Sequence, residues 1–205
     1  LRLQLLREAN NLAEQWQVKG KEHAITYVVH ADVLNWLGYY EFEARDPHGV
    51  EASLASIELC ERALALAPGH PQARYIQACV LGNLSRWHAS LGRRQEALAY
   101  SNESLSAIQS LSDDDVLDLR SFRSRGVLED FAGDVRVMLA REAKRSGQIE
   151  VARGDLHAAS QHYQAHLEIL NQRRDMGWLY PWEAGYFDHL REAMNLCKTM
   201  LAELP

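Results

Sequence analysis

Two histidines are the residues whose type and spacing come nearest to a metal or catalytic site. His162 and His166 lie one helical turn apart and could share one face of a helix. A zinc-protease motif needs a glutamate directly after its first histidine, but Tyr163 stands there, and no third ligand is in phase with the pair. We therefore expect no bound metal and no other cofactor.

An acidic cluster occupies residues 113–118 and could attract a cation. A calcium loop needs alternating oxygen ligands, a glycine and a distal glutamate, and this run has neither that spacing nor the glycine. Capping of a helix at Ser112 and solvation explain the cluster more simply. No GxSxG nucleophile motif occurs either. The sequence thus predicts a protein that is not an enzyme, with any catalytic part outside this chain. The acidic residues are Asp113, Asp114, Asp115 and Asp118.

The composition favours helices and argues against nucleic-acid binding. Leucine and alanine dominate the 205 residues, prolines number only five, and β-branched runs are scarce. The net charge is −6 with both signs well mixed, whereas a general nucleic-acid binder would be strongly basic. We expect an all-α protein that forms one compact domain or one short solenoid.

Cysteine usage and hydropathy predict a cytoplasmic protein without a membrane segment. Cys60, Cys79 and Cys197 are far apart and form no CxxC motif, which is typical of reduced thiols. The most apolar stretch, 24–40, carries polar and charged residues, so it does not resemble a membrane helix of about 18 or more apolar residues. No signal peptide is present at the start, and the first residues already have the pattern of a helix interior. We expect a piece of a longer protein.

Periodicity and turn residues divide the chain into helices. An opening helix ends at Lys19-Gly20, and later breaks are expected at residues 124–126 and at Gly154-Asp155. Short turns between consecutive helices favour antiparallel neighbours. After the opening helix, the predicted helices cover 22–45, 51–66, 71–91, 94–111, 112–122, 128–153 (or from 134), 156–173 and 182–204.

The clearest internal pattern lies in the third of three repeat-like units. Gly147 is followed by Gly154, Ala159, Tyr163 and Leu167 at intervals of seven, five, four and four residues. Small residues at such spacing are expected where two antiparallel helices cross closely, and a large aromatic residue fills the space beside them. The spacing predicts a helix–turn–helix unit of about 34 residues.

Two earlier stretches repeat parts of this pattern. In the second unit Gly92 takes the turn position, and Ser101 stands where an aromatic residue is expected, so Tyr100 or Trp87 would supply the bulk. In the first unit the turn is several residues too long, and the stretch 112–139 does not fit the repeat. The remaining matching residues are Ala97 and Leu105 in the second unit, and Trp36, Leu37, Gly38, Ser56, Cys60, Ala63 and Pro68 in the first.

These units resemble the tetratricopeptide repeat family over well over half of the chain. The resemblance implies an antiparallel helix-pair solenoid of about seven to nine helices in a single domain, 1–205, with a capping helix over 182–204. The units would be 31–68, 78–111 and 140–173, with an irregular insert at 112–139.

The overall sequence pattern is also similar to that of the C-terminal repeat regions of bacterial kinases of the eukaryotic Ser/Thr type, or of repeat-containing bacterial regulators. The chain holds no kinase catalytic motif, since residues 130–133 (DFAG) are not a DFG motif and no catalytic loop precedes them. The resemblance implies a regulatory or recruiting module of a larger bacterial protein.

The resemblance also implies a binding groove lined by cations. Residues at three positions of a repeat's first helix face the concave groove in this family, and a cationic groove would attract acidic or carboxylate groups of a peptide. A carboxylate clamp of the chaperone-binding kind does not follow, because the first unit offers Asn35 and Tyr39 at the clamp positions. A solvated basic face paired with Glu142 is the alternative. The candidate groove residues are Asn83, Arg86, Arg141, Lys144 and Arg145.

Three functions follow from this reasoning. The first is a non-enzymatic scaffold that binds a protein or peptide, with no nucleic-acid or membrane partner. The second is homo-oligomerisation, as a homodimer, through the aromatic C-terminal region, where Trp178 and Tyr180 are possible contacts. The third is a small-ligand sensor with its site around 112–139.

Overall fold

The computed structural model describes residues 2–19, 23–114 and 119–205. Over these residues the chain forms eight α-helices and one short 3-10 helix, which confirms the predicted all-α fold with a final helix. The helices are α1 (Arg2–Lys19), α2 (Ala24–Glu43), α3 (His48–Leu66), α4 (Pro71–Ser90), α5 (Arg94–Asp114), α6 (Leu119–Arg145), α7 (Ile149–Asp175) and α8 (Gly185–Ala202), with the 3-10 helix at Pro181–Ala184.

The helices stack as consecutive antiparallel pairs. The closest partners are α2 with α3, α4 with α5, and α6 with α7. The first helices of successive pairs also contact each other, α2 with α4 and α4 with α6, and each second helix contacts the first helix that follows it. We call α2, α4, α6 and α8 the first layer and α3, α5 and α7 the second layer. This arrangement is a short solenoid, to which α1 adds by packing on α2.

Two polar contacts fix the direction of α8 in the first layer. His189 Nε2 of α8 lies 3.3 Å from Asp130 Oδ1 of α6, and Lys144 Nζ of α6 lies 3.2 Å from Glu203 Oε2, just after the end of α8. The two contacts are fourteen residues apart along each segment. The helices α6 and α8 are therefore parallel, as successive first helices must be in a stack of helix pairs.

The same turn ends the first helix of each pair. A residue with left-handed φ follows the helix: Arg45 (58°), Gly92 (70°) and Gly147 (72°). The next residue donates its N–H to the carbonyl five residues back, with N–O distances of 2.8 to 2.9 Å. This hydrogen bond satisfies a carbonyl that the helix end would leave without a partner. The donors and acceptors are Asp46 to Glu41, Arg93 to His88, and Gln148 to Ala143.

Small and apolar residues follow two of these turns at one common spacing. The residues five, nine and twelve positions after Gly92 and after Gly147 are all buried. They lie on the face that the second helix packs against its partner, where small side chains permit a close crossing. After Gly92 these residues are Ala97, Ser101 and Ser104, and after Gly147 they are Ala152, Leu156 and Ala159.

The predicted turn at Gly154-Asp155 is wrong. Helix α7 runs without interruption from Ile149 to Asp175, so residues 147–153 and 156–173 belong to one segment and do not lie back to back. The antiparallel partner of α7 is α6, and Gly147 alone makes the turn. The physical reason is the carboxylate of Asp155, which is buried in the helical conformation and bound by Arg94 and Arg136.

Two further predicted breaks are also wrong. Gly126 lies inside the continuous helix α6, where an added Cβ would stand 2.5 Å from a ring carbon of His166, so the glycine permits a close helix contact and does not end the helix. Helix α5 continues to Asp114, so no helix begins at Ser112. The predicted turn at Gly20, the helix start at residue 22, and Asp115 and Asp118 lie outside the described residues.

The core lies between the two layers and contains two fully buried cysteines. Cys60 and Cys197 are completely inaccessible, and burial raises the pKa of the Cys60 thiol to about 12. All three cysteines are free thiols. Across the described ranges, no helix combines the length and the apolar character that crossing a membrane requires.

Candidate functional site

A groove lies between the C-terminal halves of α6 and α8, and three of the predicted site residues line it. Arg141, Lys144 and Arg145 form the α6 side of this open depression, whose volume is about 500 Å³. Leu196, Thr199, Met200 and Glu203 form the other side. We call these seven residues the α6–α8 groove. It lies between parallel helices of the first layer, and the three cations share one face of α6.

The α6–α8 groove has an excess of positive charge above an apolar wall. Lys144 pairs with Glu203 at 3.2 Å, and Arg145 pairs with Glu142 at 2.7 Å. Exposed Arg141 makes no ion pair with any residue that the structure describes. Three cations thus face two carboxylates beside Leu196, whose side chain is 42% exposed. Such a groove complements a segment that carries both carboxylates and apolar side chains.

Asn83 and Arg86, the other two predicted groove residues, lie elsewhere. Asn83 is buried and donates from Nδ2 to Oδ1 of Asn35 at 3.1 Å, which joins α4 to α2. Arg86 pairs with Glu43 at 3.0 Å and is mostly buried. Contacts within the first layer occupy both side chains, and neither residue is among those that line the α6–α8 groove.

Arg86 belongs to an aromatic cluster that spans three first-layer helices. Its guanidinium carbon lies 4.5 Å from the ring centre of Phe42 and 4.6 Å from that of Phe131. The rings of Tyr39 and Phe131 are nearly parallel, with centres 6.4 Å apart, so α2 and α6 meet across α4. Trp36 extends the cluster toward solvent and is 48% exposed. Trp36 and Tyr39 are close in sequence on α2, but no local pattern connects Phe131 of α6 to them.

Two carboxylates of α6, Asp130 and Asp134, make polar contacts with neighbouring helices. Burial, and then the neighbouring charge of Asp134, raises the pKa of Asp130 to about 6. The hydroxyl of Tyr163 donates to Oδ1 of Asp134 at 2.9 Å, and burial raises the pKa of this tyrosine above its ordinary value. These groups link α6 to α7 and to His189 of α8, so they stabilise the arrangement of the first layer.

The loop before α8 presents two exposed aromatic rings. Tyr180 is 50% exposed and Trp182 is 56% exposed, and their rings are nearly parallel with centres 5.9 Å apart. Trp178 is half-buried, and its carbonyl accepts a hydrogen bond from Arg173 at 3.0 Å. Of the two predicted contact residues, Tyr180 is thus exposed and Trp178 is half-buried.

The two histidines of α7 have separate surroundings. His162 Nδ1 lies 2.8 Å from a carboxylate oxygen of Glu129, whereas His166 is buried against Gly126 and Tyr186. Burial lowers the pKa of His166 to about 4. No group of three or more potential metal ligands occurs in the described part of the chain. A small-ligand site around 112–139 stays a prediction, since residues 115–118 of that stretch lie outside the described ranges.

Comparison with known proteins leaves the family open. No family model matches the sequence, and no curated protein matches it. A crystal structure of a de novo designed helical repeat protein aligns with this chain at a TM-score of 0.45 and 15% sequence identity, and the alignment covers 98% of this chain and 95% of that chain. The helical-repeat architecture rests on the helix contacts described above, and the tetratricopeptide assignment stays a prediction.

Proposed function

We propose that this protein is a non-catalytic scaffold that binds an acidic segment of a partner protein in the α6–α8 groove. The observation that carries the proposal is the exposed cation Arg141, which has no carboxylate partner in the described structure although the chain as a whole is acidic. The exposed part of Leu196 supplies apolar contact area beside that charge. A partner with carboxylates next to apolar side chains would satisfy both features.

A groove of this kind suits a helical repeat for a physical reason. Parallel neighbouring helices leave a continuous furrow between them, and the surrounding stack keeps its walls rigid before a partner arrives. Rim charges mainly accelerate association and select the partner, while the apolar wall slows dissociation. We expect binding that weakens as salt is raised, because exposed charges are screened at short range.

Affinity capture with matched charge variants tests this proposal. The groove variant carries Arg141→Glu and Arg145→Glu. The control variant carries Arg62→Glu and Arg191→Glu, two exposed arginines of α3 and α8 that lie outside the groove, so both variants change the net charge equally. We expect the wild type and the control to retain the same partner, identified by mass spectrometry, and the groove variant to bind it at least tenfold more weakly with unchanged helicity. Equal binding by the two variants would exclude the α6–α8 groove as the binding site.

Self-association is a second candidate function, and an exposed apolar stripe supports it. Leu5, Leu12 and Trp16 recur along one side of α1 and are all more than half exposed. Stripes of this kind often mark an interaction surface. Sedimentation of the protein over a hundredfold concentration range distinguishes the two functions. A dimer that Leu12→Lys converts to a monomer would favour self-association, and a monomer at all concentrations would exclude it.

A further inference from the structure

Helix α1 occupies a place in the stack where a second-layer helix has two neighbours. Each of α3, α5 and α7 packs on the first-layer helix that precedes it and on the one that follows it. Helix α1 packs on α2, which follows it, and among the described helices it packs closely on no other. By continuation of the stack, a further first-layer helix would lie against α1 and beside α2.

One face of α1 is apolar and exposed. It consists of Leu5, Leu12 and Trp16, which recur at intervals of seven and four residues. One residue after the two leucines, Leu6 packs on the core that α2 shares, and Ala13 is buried. One residue corresponds to about 100° around a helix, so the exposed face and the core face of α1 are about 100° apart. A second-layer helix needs two such faces to contact two first-layer helices.

Helix α2 carries a second exposed apolar stripe. Ile25, Val29 and Trp36 recur at intervals of four and seven residues, and all three are at least 40% exposed. The contact of α2 with α4 uses a different face, where Asn35 binds Asn83 at 3.1 Å. The exposed stripe of α2 is therefore not part of the contacts with the rest of the first layer.

Both stripes border the same side of the seam between α1 and α2. On this side Arg2 donates to the hydroxyl of Tyr40 at 3.5 Å. Arg2 lies one turn before Leu5, and Tyr40 lies one turn after Trp36. Residues one turn apart share a side of a helix, so the two stripes are neighbours across the seam. We call the six residues of both stripes the α1–α2 face.

The two stripes also match along their length. Asn10 Oδ1 lies 2.9 Å from His30 Nε2, and Arg2 contacts Tyr40. The partner on α2 thus moves back along the chain as the residue on α1 moves forward, so the helices are antiparallel. On this register each member of one stripe stands level with a member of the other, within about one residue. The level pairs are Leu5 with Trp36, Leu12 with Val29, and Trp16 with Ile25.

The other end of the stack shows how a terminal helix is built. The exposed residues of α8 are mostly polar, and Leu196 is the one exposed large hydrophobic residue of that helix. Terminal units of helical solenoids need such a polar outer face. The α1–α2 face instead exposes six large apolar side chains in two adjacent rows. It therefore has the character of an internal contact of the stack.

Carboxylates border both stripes of the α1–α2 face. On α1, Glu8 stands three residues after Leu5 and four before Leu12, and Asp32 has the same spacing within the stripe of α2. The two arginines of α1 are turned to partners on α2 or in the turn after it. A second copy of the chain would place this acidic face against itself, and opposed like charges disfavour such a contact. A helix with cations beside its apolar residues complements the face.

We infer that the α1–α2 face binds an amphipathic helix of a partner protein, in the position of a first-layer helix, with lysine or arginine bordering its apolar side. The helix would meet level apolar pairs over about 16 Å, or about three helical turns. Its cations would approach Glu8 and Asp32. The inference does not rest on the α6–α8 groove, for which we propose a segment of the opposite charge.

The probe is a blocked eighteen-residue peptide with leucine and alanine at every third or fourth position and lysine and glutamine elsewhere. One matched peptide has glutamate in place of every lysine, and another has the same composition in scrambled order. Binding is followed by NMR shifts of the indole N–H groups, assigned with Trp16→Phe and Trp36→Phe. We expect saturable shifts at Trp16 and Trp36 and none at Trp182, and at least tenfold weaker binding of each matched peptide.

Charge-matched variants test the apolar stripes. The variant with Leu12→Lys and Val29→Lys should bind the probe at least tenfold more weakly than the wild type. The control carries Leu54→Lys and Leu91→Lys, two exposed leucines outside the α1–α2 face, and should bind within about twofold of the wild type. Circular dichroism checks that both variants keep the helicity of the wild type.

A second pair of variants tests the acidic border. Glu8→Gln should weaken probe binding about threefold, and Glu14→Gln, on the opposite side of α1, should leave it unchanged. The groove variant with Arg141→Glu and Arg145→Glu should also bind the probe at least as well as the wild type, which separates this inference from the proposed function. Unshifted Trp16 and Trp36 signals at millimolar peptide, or equal binding of either matched peptide, would overturn it. A wild-type dimer that Leu12→Lys disrupts would also overturn it, because a second copy would then cover the face.

Discussion

Replacing two glycines of the α6–α7 region by alanine should change stability in opposite directions. Gly147 ends α6 with φ of 72°, and Gly154 lies inside α7. An added Cβ would meet no atom within 4 Å at either site, so only backbone conformation decides the outcome. Alanine at position 147 must adopt a left-handed conformation, which costs about 1–2 kcal/mol. Alanine at position 154 gains about 1 kcal/mol of helix propensity over glycine.

The two variants should therefore differ by about 2–3 kcal/mol in the free energy of unfolding. Urea denaturation followed by circular dichroism measures both values, and equal m-values show that the comparison is valid. Gly147→Ala should unfold at lower urea than the wild type and Gly154→Ala at higher urea. If the turn lay at Gly154, as the sequence spacing first indicates, that variant would be destabilised instead. Loss of stability in Gly154→Ala would refute the continuous helix α7.

Four other predictions concern buried contacts. Tyr163→Ala should cost about 3–5 kcal/mol. Gly133→Ala should destabilise the wild-type protein, because the added Cβ would lie 2.5 Å from the Tyr163 ring. In the Tyr163→Ala background the same substitution should be neutral or stabilising. The same effect in both backgrounds would contradict the close packing of Gly133 against Tyr163. Asp155→Asn should cost about 2 kcal/mol in urea denaturation, since two arginines lose their buried carboxylate, and a neutral result would contradict that role. The folded-state pKa of His166, about 4, lies below the unfolded value, so protonation favours unfolding. Between pH 7.5 and pH 5, the free energy of unfolding of the wild type should fall by about 2 kcal/mol more than that of His166→Phe. Equal losses in the two proteins would contradict the burial of His166.

The sequence predicts the helices well where a single residue ends them. Pro71 begins α4, and Gly92 adopts the left-handed conformation in the turn after α4. Both residues have the roles that their local sequence patterns indicate. Glycines in α6 and α7 are harder to interpret, because the same residue type serves three purposes there. Gly147 makes a turn, Gly126 admits the ring of His166, and Gly154 stands in an exposed helix position without a close neighbour. Only the packing of a distant helix distinguishes these purposes.

The candidate site could be predicted from the sequence only in part, for a similar reason. Arg141, Lys144 and Arg145 share a helix face, so spacing alone groups them. The position of Arg86 depends on Phe131, which lies far along the chain on another helix, and no periodicity connects the two. The position of Trp182 likewise depends on the buried ion pair between Arg173 and Glu183, which shapes its loop. Local patterns therefore predict which residues share a face but not which faces meet.

Site-specific photo-crosslinking tests the central claim most directly. A benzophenone amino acid is placed at Thr199, which lines the α6–α8 groove, and in a separate variant at Gln161, an exposed residue of α7 outside it. We expect the captured partner to crosslink through Thr199 and not through Gln161, and an acidic peptide segment of that partner to carry the crosslink. Crosslinking through Gln161 with none through Thr199 would show that the partner binds another face and would contradict the proposed function.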